Sequence, residues 1–203
     1  MKRTALILLT IIAFDISLNA QESRFPRFTF GAEWSYIATV HTFMHNNFFS
    51  EEGYRVNYQY NHFLFRSNGE AFVHAGCNAD EHWNISLYLG MTGISDHHNA
   101  IPISIRGTRY FGNDPMKDRW FAYIDLGSGI SLKIPPQEIL AGRIGGGYRM
   151  SLSRHTKLDF IAALRMTYTH PAVTYYDEDI PMEKVNRNNA YLSAVSFGIG
   201  LTF

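Results

Sequence analysis

Apolar residues recur at every second position along most of this chain, and helical spacing is scarce. The segment Tyr191 to Phe203 shows it most clearly. Tyr191, Val195, Phe197, Ile199, Leu201 and Phe203 share one face with Ser193, while Leu192, Ala194, Ser196, Gly198, Gly200 and Thr202 share the other. Large apolar groups therefore lie on one side and mostly small or polar ones on the opposite side. The same alternation marks Phe28 to Val40, Glu70 to Asn78, Trp83 to Ile94, Ile101 to Phe111, Trp120 to Leu132, Gly142 to Leu152 and Leu158 to Tyr168. Such a pattern predicts an all-β chain of about eight strands.

The spacing between these segments separates two kinds of connection. Ala79–His82, Gly112–Asp118 and Ser153–Thr156 are short and turn-like. They alternate with longer stretches at His41–Gly69, Ser95–Ala100, Lys133–Ala141 and His170–Asn189. Short turns at one end and longer loops at the other are expected of a closed, antiparallel transmembrane β-barrel, its loops facing outside. The stretch Tyr54 to Phe65 also alternates, but both of its faces are aromatic or polar. It reads as strand continuing above the bilayer, with an additional strand pair as the alternative.

Mid-strand charges support the membrane reading. If the apolar faces meet lipid, Glu33, Arg106, Asp125, Arg143, Arg149, Asp159 and Arg165 all point into the lumen, with Glu70 and His74 near them. Arg109 is the exception, close enough to its strand end to reach the interface. An eight-stranded interior is just wide enough for side chains to fill. Three carboxylates and four guanidiniums are then expected to pair and plug it, with a substrate-selective pore as the competing reading. Inward glycines at 127, 129, 145, 147, 198 and 200 would make room or let the sheet bend. Trp34, Tyr36, Trp83, Trp120, Tyr168, Tyr191 and Phe203 are expected to form aromatic girdles at strand ends.

Balanced charge, with 18 basic and 18 acidic residues, argues against a nucleic-acid partner. Residues 1–20 read as an export signal: Lys2 and Arg3 precede the apolar run Ala5 to Phe14, and Leu18-Asn19-Ala20 offers a cleavage site. That run is too short to span a bilayer as a helix, which takes roughly 20 residues. Residues 21–203 then form the barrel domain. Cys77 is the lone cysteine, so no internal disulfide or cysteine-pair metal site is available.

The export signal, the segment Gly145-Gly-Gly-Tyr-Arg-Met-Ser-Leu-Ser-Arg-His-Thr-Lys-Leu-Asp-Phe160 and the ending Ser196-Phe-Gly-Ile-Gly-Leu-Thr-Phe203 resemble small outer-membrane β-barrel proteins of the Bacteroides type. The likeness is in the loose style of porin-family and outer-membrane-protein-A-like barrels. It implies residence in the bacterial outer membrane and contact with outer-membrane lipid; with the sequence stopping at Phe203, no peptidoglycan-binding domain is expected after the barrel. The alternating end Phe197, Ile199, Leu201 and Phe203 resembles the signal read by the barrel-assembly machinery during insertion.

Catalytic chemistry has weak support. His155 and Ser153 fall in a predicted inner turn, away from outer-leaflet lipid. His170 with Asp177 and Asp179 is the best acid–base candidate, yet it reads more simply as solvated loop. An adjacent His97-His98 pair beside Asp96 lacks the spacing for a tetrahedral metal site. His41, His45 and His62 match no metal-binding motif, and no phosphate loop or dinucleotide fingerprint is present. No catalytic residue, metal or cofactor is therefore assigned. The expected function is a side-chain-plugged barrel acting in envelope structure or surface interaction, with a host or envelope ligand at the outer loops. A narrow passive channel for small solutes is the alternative, and a lipid-modifying enzyme stands third.

Overall fold

The structure is a computed structural model that describes residues 26–95, 98–132, 137–176 and 178–203. The export signal expected at residues 1–20 lies outside the described residues. Eight long strands close into one antiparallel barrel. They are β1 (Phe28–Phe49), β2 (Arg55–Asn78), β3 (Trp83–Ser95), β4 (His98–Tyr110), β5 (Arg119–Ser131), β6 (Glu138–Ser151), β7 (Lys157–Thr169) and β10 (Val185–Thr202). The ring runs β1-β10-β7-β6-β5-β4-β3-β2, so the last strand closes on the first. A two-residue hairpin, β8 (Thr174–Tyr175) with β9 (Glu178–Asp179), and the 3-10 turn Met182–Lys184 decorate the connection into β10.

The tight turns at one rim are built by side chains that stand in for missing backbone partners. Asp80 Oδ1 accepts from the N–H groups of His82 and Trp83, both at 2.7 Å. Ser153 Oγ accepts from His155 and Thr156 at 3.2 and 3.0 Å. Gly112 takes φ +107° to begin the turn between β4 and β5, a conformation with little penalty only for glycine.

Alternation sorts the side chains as the lipid argument requires. Leu87, Ile105, Ile124, Leu126, Ile144 and Leu164 are each half exposed or more and face outward. A surface this apolar over the whole wall is tolerated only against hydrocarbon. Arg109 points outward too, its guanidinium 5.4 Å from the Trp83 ring and 5.8 Å from that of Phe111, at the inner rim. Aromatic contacts mark both rims. Trp120 meets Tyr148 at 5.0 Å, and Tyr168 meets Tyr191 at 4.9 Å. Trp34 and Tyr36 depart from the girdle expectation, since register pairs them with Ile199 and Phe197, several residues inside the wall. The apolar pattern of β1 stops soon after them, but the strand itself does not.

That continuation is the main revision to the strand map. The stretch expected as a long connection at His41–Gly69 is strand nearly throughout, turning only around Ser50–Tyr54. β1 has 22 residues and β2 has 24, against 13 in β3. Pairing of β1 with β2 continues up to Phe49↔Arg55, and with β10 up to Phe48↔Val185. A register shift between Thr39 and His41 marks where the wall becomes a free-standing three-stranded blade. No additional pair of barrel strands forms, so the wall holds eight. Hydropathy hides the extension because both of its faces are polar or aromatic, leaving no apolar side to alternate. A small second core of Phe48, Val173 and Ile180 ties the tip of the blade to the connection before β10.

Candidate functional site: the charged interior

Neighbouring strands place one residue each in a row across half of the lumen. Arg106 on β4 is register partner to Asp125 on β5, Asp125 to Arg143 on β6, and Arg143 to Arg165 on β7. The row reads plus, minus, plus, plus and would repel itself if left alone. Two carboxylates from the opposite wall complete it. Glu33 on β1 receives Arg106 Nη1 at 2.6 Å and Nη2 at 3.1 Å. Glu70 on β2 receives Arg143 Nη1 at 2.9 Å and Arg165 Nη1 at 2.7 Å. Asp125 Oδ2 bridges Arg143 at 2.5 Å and Arg106 at 3.2 Å. Every member is buried, and each carboxylate faces at least one guanidinium, the condition under which buried charge is tolerable.

A separate pair lies nearer the inner rim. Arg149 and Asp159 are register partners on β6 and β7 and meet at 2.6 Å through both Nε and Nη2, the bidentate fork that arginine favours. Thr202 Oγ1, from the end of β10, accepts from Arg149 at 3.2 Å and donates to Asp159 at 3.3 Å.

All seven charges expected in the lumen are thus inside, but the expected balance of three against four requires correction. Glu70 is a full member, joining two guanidiniums, and makes the ion-paired set four against four. Its position at the start of the apolar alternation in β2 made it look peripheral, whereas the strand actually begins at Arg55. His74 lies inside as well, its ring stacked on Tyr88 at 4.8 Å.

Interior aromatics form a second component that the charge pattern alone did not reveal. The Arg106 guanidinium lies 4.0 Å from the ring centres of both Tyr88 and Tyr123, and donates to Tyr88 Oη at 3.0 Å. Arg143 lies over Phe72 at 4.6 Å, and Tyr110 faces both Arg119 at 3.9 Å and Arg149 at 4.6 Å. Such contacts contribute about 2 kcal/mol or more when desolvated. The parity signal was present, since each of these rings occupies the inward register of its strand.

Glycine opposite a large residue makes the packing feasible. Phe121 is register partner to Gly147, Tyr123 to Gly145, and Phe72 to Gly90. A Cβ at Gly147 would lie 2.7 Å from Phe121 Cζ, so the ring occupies the space that a side chain would need. Between the two charge layers remains a cavity of about 20 Å³, lined by His74, Tyr88, Arg106, Tyr110, Arg149 and Asp159 among others. A volume of that order holds about one water molecule.

The other candidates resolve into structural roles or fall outside the described residues. Ser153 shapes its turn through backbone contacts. His170 meets Asn188 at 3.3 Å, while Asp179 accepts from Thr174 Oγ1 at 3.0 Å. Asp177, Asp96 and His97 lie outside the described residues. Among the described residues, no group of three or more His, Cys, Asp or Glu stands in metal-holding geometry. Phe197, Ile199, Leu201 and Phe203 all face outward, and Phe203 exchanges backbone hydrogen bonds with Phe30 at 2.8 and 3.1 Å.

A closed antiparallel barrel with an apolar exterior and a charged interior defines the class: a small eight-stranded β-barrel of the bacterial outer membrane. Among solved structures, the chain is similar to the outer membrane protein OprG of Pseudomonas aeruginosa, with 8% identity over 90% of this chain and 98% of that one and a TM-score of 0.52. Neisserial surface protein A (NspA) gives 12% identity, 87% and 97% coverage and a TM-score of 0.47. The N-terminal β-barrel domain of Pseudomonas aeruginosa OprF gives 12%, 85% and 99%, and 0.41. No protein-family model and no curated protein matches the chain. At this identity the likeness to OprG establishes the fold, and the apolar wall gives that fold its membrane setting.

Proposed function

We infer that this barrel is closed to solutes and acts at the cell surface, in envelope structure or in contact with an external ligand. The observation that carries this reading is the buried interior network, in which four guanidiniums pair with four carboxylates around a cavity of about 20 Å³. Hydrated ions need a wider path. What the chain offers outside is the blade of β10, β1 and β2. Its outermost strand, β2, pairs with β3 over Glu70–Asn78, and its Arg55–Phe65 stretch extends past β3 as a sheet edge. An unpaired sheet edge in water is a template for association. In this reading residues 1–20 direct export, the barrel-assembly machinery recognises Phe197, Ile199, Leu201 and Phe203, and the outer-membrane lipid holds the wall.

Planar-bilayer recording of the intact protein tests the closed lumen. Absent or very small conductance is expected. Large, steady openings would overturn the reading in favour of a solute channel, and an altered lipid A mass profile in a deletion strain would favour an enzyme.

A further inference from the structure

The outward face of the blade continues the lipid-facing wall directly. Tyr191, exposed at the outer rim, has its ring 6.2 Å from that of Phe43, and His41 lies 5.1 Å from the exposed Phe63 ring. Above this aromatic level the same face becomes polar. That face stands just above the apolar wall, at the level where lipid head groups begin.

Its acidic residues are confined to the tip, at Glu51 and Glu52. The segments 41–49, 55–69 and 185–193 contain no Asp or Glu. His41 Nε2 bonds Asn61 Oδ1 at 2.7 Å, His45 Nε2 bonds Asn57 Oδ1 at 3.0 Å, and Arg55 Nε donates to Asn47 Oδ1 at 3.0 Å. Three amide oxygens are thus occupied as acceptors, which leaves the NH₂ groups of the exposed Asn57 and Asn61 as donors, whereas Asn47 is buried. Arg187 is register partner to Asn47 and approaches His45 Nδ1 at 3.5 Å. Arg55 and Arg187 thus flank Asn47 on the two neighbouring strands. Among the described residues, neither meets a carboxylate. The inner face of the same blade carries a shallow cleft lined by Thr42, Met44, Tyr58, Tyr60, Leu64 and Arg66.

We propose that this outward face binds the phosphate-bearing saccharide head group of the outer-leaflet glycolipid around the barrel. A guanidinium matches phosphate oxygens in a forked geometry, and amide donors match sugar hydroxyls. The aromatic level beneath orients the blade against the bilayer, so the ligand is lipid already in contact with the wall.

The test uses full-length protein in phosphatidylcholine vesicles, with or without a phosphorylated lipid A-type glycolipid. Glycolipid retained on the purified protein is measured by mass spectrometry, and unfolding is followed by heat-dependent gel mobility. Wild type is expected to retain the phosphorylated form, and Arg55→Gln with Arg187→Gln to retain about tenfold less, the loss of charge-assisted bonds to phosphate. Lys184→Gln, a cation on the adjoining turn, should behave as wild type. If the double variant fails to fold, molar salt applied to wild type should release the glycolipid, because exposed charges are screened. Equal retention of dephosphorylated glycolipid, insensitivity to both salt and variants, or a full effect from inorganic phosphate alone would overturn the proposal.

Discussion

Glu33 and Arg106 stand 73 residues apart in the chain and meet across the barrel through two hydrogen bonds of 2.6 and 3.1 Å. The contact shows how the interior is neutralised. Adjacent strands β4 to β7 contribute a surplus of positive charge in one row, and the first two strands supply the missing negative charge from the far wall. Local register alone would leave the row repulsive.

Glu70 is accordingly the most sensitive member of the outer charge layer. Glu70→Gln leaves Arg143 and Arg165 side by side as register neighbours. A loss of about 3–5 kcal/mol is expected, typical of removing one partner from buried charge. Adding Arg165→Met should restore part of it. Urea unfolding in lipid or detergent gives the cycle, and strict additivity of the two substitutions would disprove the coupling.

Arg149 and Arg165 should differ in cost. Asp159 meets Arg149 as its guanidinium partner, whereas Glu70 keeps Arg143 at 2.9 Å when Arg165 is removed. Arg149→Met is expected to cost about 3–5 kcal/mol and Arg165→Met about half of that. The same unfolding assay ranks them, and the reverse order would contradict the network.

At Gly147, substitution by Ala should destabilise by about 1–3 kcal/mol through overpacking. Phe121→Leu should relieve only part of the strain, because the added Cβ also collides with the Phe160 carbonyl oxygen, which is backbone and cannot swing away. Complete rescue in the unfolding midpoint would show that the ring alone sets the limit.

Which face meets lipid is open to direct labelling. With Cys77→Ser as background, cysteines at Leu87, Ile124 and Phe160 should react with bilayer-soluble probes, and those at Asp125 and Asp159 should not. Arginine at Leu87 or Ile124 should cost about 2–4 kcal/mol near the midplane. The opposite labelling pattern would invert the register.

The lipid-exposed wall was legible in the sequence because one physical contrast, hydrocarbon against lumen, repeats at every second residue. Arg109 was legible as an exception for the same reason, and its outward guanidinium lies beside Trp83. The blade was harder to read. From His41 and from Arg55 both faces are polar or aromatic, so alternation loses its hydropathy signal although the strands continue. The role of Glu70 was masked for a related reason, since its partners come from strands that are distant in the chain. Periodicity fixes the side on which a residue points; it does not say which side chains meet across a lumen.

The seam between β1 and β10 also governs when the protein can fold. Phe30 is among the first strand residues made and Phe203 among the last, yet they exchange two backbone hydrogen bonds and stack their rings at 5.5 Å. Until the final strand exists, the first has an open edge on that side, and most of the wall must wait for a contact of nearly maximal sequence separation. High contact order slows closure, and the waiting intermediate exposes both apolar surface and unpaired backbone. The barrel is therefore protected from aggregation only at the moment its first and last strands join.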